Sequence, residues 1–401
     1  MTAGEGPTSR REIARSLLSH AYLPTFLAEI GIGAILPVLA LSVADMGHTA
    51  AFASLAVAAY QLGRLPGSAL GGAIAHRWGS THAAMAALAV IAAGSVLAAW
   101  APHLAVFMVG AVIVGLGHAW YHVARQGQIL AIITPDLTAR SLTTLAGVWR
   151  IANFIGPLLG AALIGIWGLA ATYWMGAAFL VAAIAALGLS PAARERPARA
   201  DGPRISLRLV ARENLPVLRT LGVTVIATGA LRQARIAVIP LWATHVGLSP
   251  QAATLIYSIS AAIDMLLFYP AGAVMDRWGR RWTAIPSTLL LALGTLALPL
   301  TAGATQVTIA ALLLGLGNGW GSGLVMTLGA DVAPAEGRTV FTGLWMVLQD
   351  VGGLLGPALV SVGALIALPV GFVAVGGMGL ATVGGFVAWI PSMRSPGHVA
   401  E

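Results

Sequence analysis

The sequence contains no cysteine and no lysine, and only 9% of its 401 residues are charged. The absence of cysteine excludes disulfides, thiolate metal sites and thiol catalysis in this chain. Without lysine, all 22 basic residues are arginine, and the Gly-Lys-Ser/Thr loop of a nucleotide-driven pump is absent. Soluble domains usually carry about 25% charged residues. The shortage of charge therefore excludes an ordinary soluble domain and indicates a membrane protein.

Apolar residues make up 58% of the chain, in runs long enough to cross a bilayer, which takes about 20 residues per helix. The sequence predicts six helices near 21–44, 52–75, 82–101, 105–133, 141–165 and 169–189. It predicts six more near 218–245, 252–274, 283–301, 306–330, 339–364 and 370–390. The predicted divisions are a tail (1–19), a six-helix half (20–190), a linker (191–217), a second half (218–391) and a tail (392–401).

Among the loops, arginine occurs on only one side of the predicted helices. It occurs in the loops near 76–81, 134–140, 190–217, 276–282 and 331–338 and in both tails, whereas the opposite loops contain none. Arginine excess marks the cytoplasmic side, so we expect both termini and the linker in the cytoplasm and the protein in the cytoplasmic (inner) membrane. This placement accounts for the net charge of +8 without nucleic acid as a partner. We expect no cleaved signal peptide, because no small-residue cleavage site follows the N-terminal arginines.

A short basic turn occurs twice, 200 residues apart. The first copy reads Gly72-Ala-Ile-Ala-His76-Arg77-Trp78-Gly79, and the second reads Gly272-Ala-Val-Met-Asp276-Arg277-Trp278-Gly279-Arg280-Arg281. At the same offset, Gly115-Leu-Gly-His118-Ala-Trp120 matches Gly315-Leu-Gly-Asn318-Gly-Trp320. A repeat at a fixed offset indicates two copies of one unit. The sequence therefore predicts an all-α membrane protein, with two six-helix bundles related by an internal repeat around a central cavity.

The turn resembles the Gly-x-x-x-Asp-Arg-x-Gly-Arg-Arg loop of the major facilitator superfamily, which lies between the second and third helices of each half. The second copy matches throughout, whereas the first has His76 in place of the acid. The run Gly156-Pro157-x-x-Gly160 resembles the antiporter motif of the family's drug:proton antiporter branch. Gly110 and Ala111 stand where drug exporters usually carry an arginine, and this departure argues against a multidrug transporter.

Eight charged residues fall within predicted helices, where each costs about 2.5–3.5 kcal/mol at mid-bilayer. They are Glu29, Arg64, Arg125, Arg150, Arg232, Arg235, Asp264 and Asp350. The resemblance implies that helices 2 and 11 meet across the halves, as do helices 5 and 8, and that helices 1, 4, 7 and 10 line the cavity. It thus implies the ion pairs Arg64–Asp350 and Arg150–Asp264. These pairs either hold the halves together permanently or break and reform during alternating access.

The expected substrate cavity is lined by Glu29, His118, His122, Arg125, Arg232, Arg235 and Asn318. The spacing of His118, His122 and Arg125 places them on one helical face. Histidines four residues apart can bind zinc, but no neighbouring acid in the sequence completes such a site, and Arg125 would repel a cation. We therefore expect no metal. The histidines are either proton sensors, since histidine titrates near neutral pH, or a polar lining.

Proton coupling is predicted at a carboxylate that is neutral in one conformation and charged in the other. Glu29 is the first candidate, Asp264 the second, and Asp350 a further one. The competing interpretation of Glu29 is a permanent salt bridge to a cavity arginine.

The basic turns predict a gate on the cytoplasmic side. Arg77 is expected to pair with Asp136, and Arg277 and Arg280 with Asp331 or Glu336. The glycines of the turns, Asp276 and Arg281 belong to the same motif. The competing interpretation is that the arginines only fix orientation.

These features predict a secondary transporter and not an enzyme, with no cofactor and acting as a monomer. The expected activity is proton-coupled export of a small organic molecule. An anionic or amphiphilic cargo is favoured, because the eight charged residues within the helices are five arginines and three acids. The alternatives are a proton-symport importer of organic anions, a multidrug efflux pump for hydrophobic compounds, and a membrane receptor that transports nothing.

Overall fold

The computed structural model describes residues 17–132, 138–189, 207–334 and 336–390. Within these ranges the chain forms twelve long helices, α1 to α12. The first six are α1 Leu23–Asp45, α2 Ala50–Trp78, α3 Ser80–Ala99, α4 Leu104–Ile132, α5 Thr138–Trp167 and α6 Ala170–Gly188. The others are α7 Leu221–His245, α8 Pro250–Trp278, α9 Arg281–Ala297, α10 in two segments (Ala304–Trp320 and Leu324–Val332), α11 Arg338–Ala364 and α12 Leu368–Trp389.

Shorter elements flank some of these helices. A π-helical turn, Leu18–Tyr22, runs into α1, and a 3-10 turn, Leu298–Leu300, extends α9. The helices Leu207–Glu213 and Leu215–Arg219 precede α7.

Eleven of the long helices are long and apolar enough to cross a membrane. The remaining one, α2, has the same 29-residue length as α8 but carries Gln61 and Arg64 in its middle. It packs against α4 and α11. The all-helical membrane fold predicted from the sequence is confirmed.

The helices form two bundles with matching internal contacts. In the first, α2 packs on α4 and α1 packs on α5 and α6; in the second, α8 packs on α10 and α7 packs on α11 and α12. The main contacts between the bundles are α2 with α11 and α5 with α8, and α1 also touches α7. These are the helix pairs that the family resemblance implies.

The apolar core divides differently on the two sides of the protein. One cluster joins both bundles toward the loops that lack arginine, which we call the Arg-poor face, through residues such as Leu39, Val43 and Trp242, and within the first bundle it extends to Leu187. Toward the arginine-bearing loops, the Arg-rich face, two smaller clusters each lie within one bundle. One includes Val225 and Trp345 of the second bundle, and the other includes Ile129 and Leu145 of the first.

Contacts between the bundles follow the same division. Ser54 Oγ donates to the Pro357 carbonyl at 2.7 Å, and Ser361 Oγ donates to the Ala51 carbonyl at 2.8 Å, both near the Arg-poor face. Toward the Arg-rich face, a Cβ added at Gly147 or Gly343 would meet no atom within 4 Å. The bundles are therefore joined at the Arg-poor face and separated toward the Arg-rich face.

Candidate functional site

Five ionisable residues of the first bundle form one group midway through the membrane helices. We call Glu29, Tyr60, Arg64, His118 and His122 the N-terminal charged cluster. Oε1 of Glu29 on α1 lies 3.3 Å from His118 Nε2 and 3.1 Å from His122 Nε2, both on α4. The two Nε2 atoms are 2.7 Å apart. At this distance one imidazole donates its Nε2 proton to the other, so the two imidazoles are hydrogen-bonded to each other and lie against the same carboxylate oxygen.

The cluster is connected to the interface between the bundles. Tyr60 Oη hydrogen-bonds His118 Nδ1, and Arg64 Nη1 lies 3.5 Å from both of these atoms. Arg64 Nη2 reaches Asp350 Oδ1 of α11, in the other bundle, at 3.7 Å. A continuous polar chain therefore leads from Glu29 to the α2–α11 contact.

The arrangement corrects two expectations about Glu29 and the histidines. In the structure Glu29 pairs with these two histidines rather than with a cavity arginine. The reason given against a metal was also wrong, because α1 supplies the missing acid, and Glu29, His118 and His122 bring ligand atoms within 4.8 Å of one another. These groups could hold a metal ion by geometry. However, Arg64 places a positive charge 3.5 Å from His118, and the 2.7 Å contact between the imidazoles is itself a hydrogen bond.

Arg125 does not line the cavity, contrary to the expectation from its helical spacing. It is 0% exposed. Its Nε donates to Thr25 Oγ1 at 2.9 Å, and its other nitrogens bond the Ala21 carbonyl and Gln128. Gln128 in turn donates to Thr81 of α3. Arg125 therefore ties α4 to α1 and α3, because these acceptors face it from inside the bundle.

A second group lies in the other bundle, and we call Arg232, Arg235, Asp264 and Asn318 the C-terminal charged cluster. Arg235 Nη2 lies 3.5 Å from Asp264 Oδ2, which also accepts a hydrogen bond from Asn318 Nδ2. Arg232 Nη2 donates to the Asn318 carbonyl at 2.6 Å. Three of the four are predicted cavity residues, and the structure brings them together around Asp264.

Arg150 of α5 joins this cluster from the first bundle. Its Nε lies 3.9 Å from Asp264 Oδ1, and its Nη2 donates to Ser322 Oγ at 2.8 Å, in the break between the two segments of α10. Both ion pairs implied by the family layout thus connect residues that lie within 4 Å. Each bundle's cluster is completed by one charged residue from the other bundle; their part in a transport cycle stays a prediction.

The helix-5 run Gly156-Pro157-x-x-Gly160 lies where α5 meets its neighbours. A Cβ at Gly156 would collide with the Ile30 carbonyl of α1, and one at Gly160 would come within 2.8 Å of Thr172 of α6. The run therefore allows close helix packing, and its role in antiport stays a prediction.

The second basic turn forms a network within its own bundle. Arg280 Nε donates to Asp331 Oδ2 at 2.8 Å, and this hydrogen bond raises the pKa of Arg280. Arg280 Nη1 also lies 3.9 Å from Asp276, and Arg281 donates to the Val387 carbonyl of α12. Of the two arginines predicted to pair with Asp331, Arg280 does so, whereas Arg277 lies against the Trp278 ring.

The turns are built alike but do not join the bundles in this structure. Gly79 and Gly279 end α2 and α8 with φ of 83° and 91°, a conformation that favours glycine. An added Cβ at Gly72 would meet open space. The predicted partner of Arg77, Asp136, lies outside the described residues. The contacts of the second turn connect α8, α9, α10 and α12, so they brace one bundle and do not close the gap between the two.

The sequence analysis missed three residues of the site. Tyr60 and Ser322 contact predicted residues, and Trp149 stacks on His122 with ring centroids 4.4 Å apart. The repeat could have revealed Ser322, because it occupies the position equivalent to His122. Tyr60 lies one turn before Arg64 on the same helical face.

A separate cavity of about 320 Å³ lies at the Arg-poor face, lined by Asp45, Ile164, Leu169, Ser249 and Gln251. It is remote from both charged clusters along their helices. The clusters instead border the region where the bundles separate, and side chains there are partly exposed: 24% for His122 and 22% for Arg150.

Comparison with known proteins agrees with this architecture. The sequence model of the Major Facilitator Superfamily matches residues 21–357 and 221–400. The chain is 26% identical over 357 residues to Multidrug resistance protein MdtH of Yersinia pestis (strain Pestoides F), covering 86% of each chain. The same values hold for MdtH of Yersinia pseudotuberculosis serotype O:1b (strain IP 31758).

Solved transporters share the fold at low sequence identity. A mutant of the nucleoside transporter NupG aligns with a TM-score of 0.78 and 13% identity, covering 94% of this chain and 99% of that one. The D-xylose-proton symporter aligns with a TM-score of 0.71 and 14% identity, covering 93% and 97%. With the family match across most of the chain and the same two-bundle helical fold, this multi-pass membrane protein belongs to the Major Facilitator Superfamily and is not an enzyme.

Proposed function

We propose that the protein is a proton-coupled antiporter of the cytoplasmic membrane that exports a small organic molecule by alternating access, with an anionic or amphiphilic cargo favoured. The observation that carries the proposal is the buried carboxylate of Glu29, held between His118 and His122 midway through the membrane. The 26% identity to proteins named multidrug resistance proteins supports export.

Protons enter at His122, whose side chain is 24% exposed, and pass to Glu29, which is 2% exposed. The groups facing Glu29 are His118 and His122 of α4 and Tyr60 and Arg64 of α2. Neutralising Glu29 removes a negative charge that attracts Arg64. Arg64 then binds Asp350 more strongly, so protonation strengthens the α2–α11 contact between the bundles.

Cargo and proton occupy the central cavity in turn and reach it from opposite sides of the membrane. In the structure the bundles separate toward the Arg-rich face, where cargo from the cytoplasm enters under the proposed orientation. Protonation of Glu29 from the other side drives the return of the empty carrier. Small-molecule cargo and protons are then the two partners that each cycle exchanges.

The direction of the proton gradient tests this function. Protein reconstituted in vesicles accumulates cargo in an acidic lumen if it is an antiporter, whereas a symport importer needs an acidic exterior. The cargo is first selected by thermal stabilisation from anionic and cationic compounds. Glu29→Gln should lose gradient-driven accumulation but retain counterflow, which needs no net proton movement. Accumulation by Glu29→Gln at the unmodified rate would move the coupling role to Asp264 or Asp350.

Two controls separate proton coupling from other effects. Glu213→Gln removes an exposed carboxylate from the helix that precedes α7 and should transport normally. A chelator in the assay should change nothing. Loss of transport with the chelator would assign Glu29, His118 and His122 to a metal ion instead.

The proposed orientation has its own test, made possible by the absence of native cysteine. Ser249→Cys and Thr305→Cys, both exposed at the Arg-poor face, should react in intact cells with an impermeant thiol reagent. Ala200→Cys, in the predicted linker, should react only after the cells are opened. Labelling of Ala200→Cys from outside would reverse the orientation.

A further inference from the structure

The C-terminal charged cluster has an excess of positive charge. Arg232 and Arg235 of α7 and Arg150 of α5 surround one carboxylate, Asp264. Three guanidinium groups and one carboxylate leave a formal charge of +2 in the middle of the membrane helices. Uncompensated charge there is costly, so an added anion would stabilise this group.

The hydrogen bonds of the three arginines are incomplete. The Nε atoms of Arg150, Arg232 and Arg235 are buried and make no hydrogen bond among the described residues, and Asp264 Oδ1 is in the same state. A guanidinium has five N–H donors. Arg232 donates to the Asn318 carbonyl, and the hydrogen bonds of Arg235 to Ser260 and Asp264 are both long, at 3.5 Å. The cluster thus has more donors than acceptors.

The cluster also borders accessible space and an apolar surface. Arg150 and Asp264 side chains are 22% and 13% exposed. The Arg150 guanidinium lies over the Phe268 ring, 4.3 Å from its centroid. An anionic group at the arginines would place an attached apolar body near this ring.

We infer that the C-terminal charged cluster, with Arg150 and Ser322, binds the anionic group of an amphiphilic carboxylate. The inference rests on the proposed function for the identity of this ligand as cargo. The carboxylate takes acceptor positions at Arg150 and Arg235 that Asp264 now shares. Because Arg150 comes from the first bundle, the bound anion also links the two bundles.

The test is equilibrium binding to the full chain in discs of neutral lipid. Three probes share one apolar body: 1-naphthoate, 1-naphthylmethylammonium and 1-naphthalenemethanol. We expect 1-naphthoate to raise the unfolding temperature, with the cation and the alcohol having little effect.

Arg150→Gln should weaken the binding of 1-naphthoate by about tenfold or more, because one hydrogen bond to a charged group is lost. Asp264→Asn should tighten it, because the competing carboxylate is gone. Arg219→Gln, which changes an exposed arginine in the short helix before α7, is the matched control and should leave this binding unchanged.

A second measurement covers variants that fail to fold. In α5 and α11 the repeat offset is 196, because the loop after α10 is four residues shorter than the loop after α4, so Gly147 is equivalent to Gly343. An added side chain at either position meets open space. Gly147 lies one turn from Arg150, whereas Gly343 lies two turns from Asp350. 1-Naphthoate should slow alkylation of Gly147→Cys and not of Gly343→Cys.

The outcomes separate this inference from the proposed function. Equal stabilisation by all three probes, or unchanged naphthoate affinity in Arg150→Gln, would overturn the anion site even if proton-driven transport is present. Naphthoate binding that requires Arg150, without transport in either gradient, would support the site and overturn the antiport proposal. If discs of anionic lipid abolish naphthoate binding, a lipid headgroup occupies the site and the cargo assignment fails.

Discussion

The two bundles place different chemistry at equivalent positions of the repeat. Position 64 in α2 is arginine, whereas position 264 in α8 is aspartate. His118 corresponds to Asn318, and His122 to Ser322. At these two positions the first bundle thus carries imidazoles, where the second carries an amide and a hydroxyl. The repeat preserves the helix packing while the charges are inverted, which allows each bundle to complete the other's cluster.

The fourth and tenth helices differ in the same region. α4 continues to Ile132, and Arg125 fastens it to α1. α10 breaks at Gly321–Gly323, where Gly323 has a φ of 75°, and Ser322 in the break accepts from Arg150. The equivalent of Arg125 is Val325, so the second bundle lacks this fastening and exposes a backbone turn to the other bundle.

The largest difference in stability is expected between substitutions of Trp149 and Trp345, which are equivalent in the repeat. Trp345 is 0% exposed and donates to the Val325 carbonyl at 2.8 Å. Trp345→Ala should cost about 3–5 kcal/mol, as for other large buried side chains. Trp149 is partly exposed and stacks on His122, so Trp149→Ala should cost less than half as much. Thermal unfolding in detergent measures both, and equal losses would mean that Trp149 is also a core residue.

The helices and the charged clusters differ in how far the sequence predicts them. Hydropathy and the repeat were sufficient to predict twelve helices in two bundles, because the length of an apolar run gives the length of a membrane helix. The contact of Glu29 with His118 and His122 was not predictable. α1 is apolar on all sides apart from Glu29, and nearly every residue from Ala28 to Val43 is buried. No polar face therefore indicates which neighbour Glu29 meets.

The ion pairs between the bundles could not be predicted from the spacing of residues in this chain alone. Arg64 and Asp350 are 286 positions apart in the sequence, and the family layout, not spacing, brought them together. Helical spacing misplaced Arg125, because a residue on the same face as His122 but one turn farther along lies beside α1 and inside the bundle.

The two ion pairs should differ in strength. Removing one member of a buried pair costs about 3–5 kcal/mol, and at 18% and 21% exposure we expect Arg64→Gln and Asp350→Asn to be near the lower limit. Arg150→Gln should cost only about 1–2 kcal/mol, since Asp264 retains Arg235 and Asn318. The Arg64→Gln, Asp350→Asn double variant should recover much of the stability.

The matched control for this cycle is Arg64→Gln with Asp264→Asn, whose residues are equivalent in the repeat but are not an ion pair. The losses of stability from these two substitutions should be additive. Thermal stability of the purified variants gives the coupling, and a value below about 0.5 kcal/mol for Arg64 with Asp350 would show that the two side chains do not interact.

Glycines should show where the two bundles are alike. A Cβ at Gly156 would collide with the Ile30 carbonyl, and one at the equivalent Gly352 with the Ile226 carbonyl. Each substitution to alanine should cost about 1–3 kcal/mol by overpacking. Gly147→Ala and Gly343→Ala meet no atom and should stabilise by about 0.5–1 kcal/mol, the helix preference for alanine. If Gly352→Ala left stability unchanged while Gly156→Ala lowered it, α11 would be able to move away from α7, whereas α5 would not be able to move away from α1.

The smallest expected difference lies in the basic turns at the Arg-rich face. Arg280 Nε donates to Asp331 at 2.8 Å, whereas the equivalent position in the first turn is Ser80. Arg280→Gln should cost no more than about 1 kcal/mol, because exposed ion pairs are screened. Asp331 raises the pKa of Arg280, so this stabilisation is complete below the ordinary arginine pKa and is lost only as pH rises through the higher folded value.

The contribution of Arg280 should therefore be constant around neutral pH and should fall with added salt. Unfolding of the wild-type protein and Arg280→Gln at low and high salt measures this, with Ser80→Ala as the matched change in the first turn. Ser80→Ala should show no salt-dependent loss. A loss in Arg280→Gln that persists at high salt would mean that Arg280 acts through its 3.2 Å hydrogen bond to the Met275 carbonyl at the end of α8. The turn would then differ from its counterpart in how it ends the helix, and the charge pair with Asp331 would contribute little.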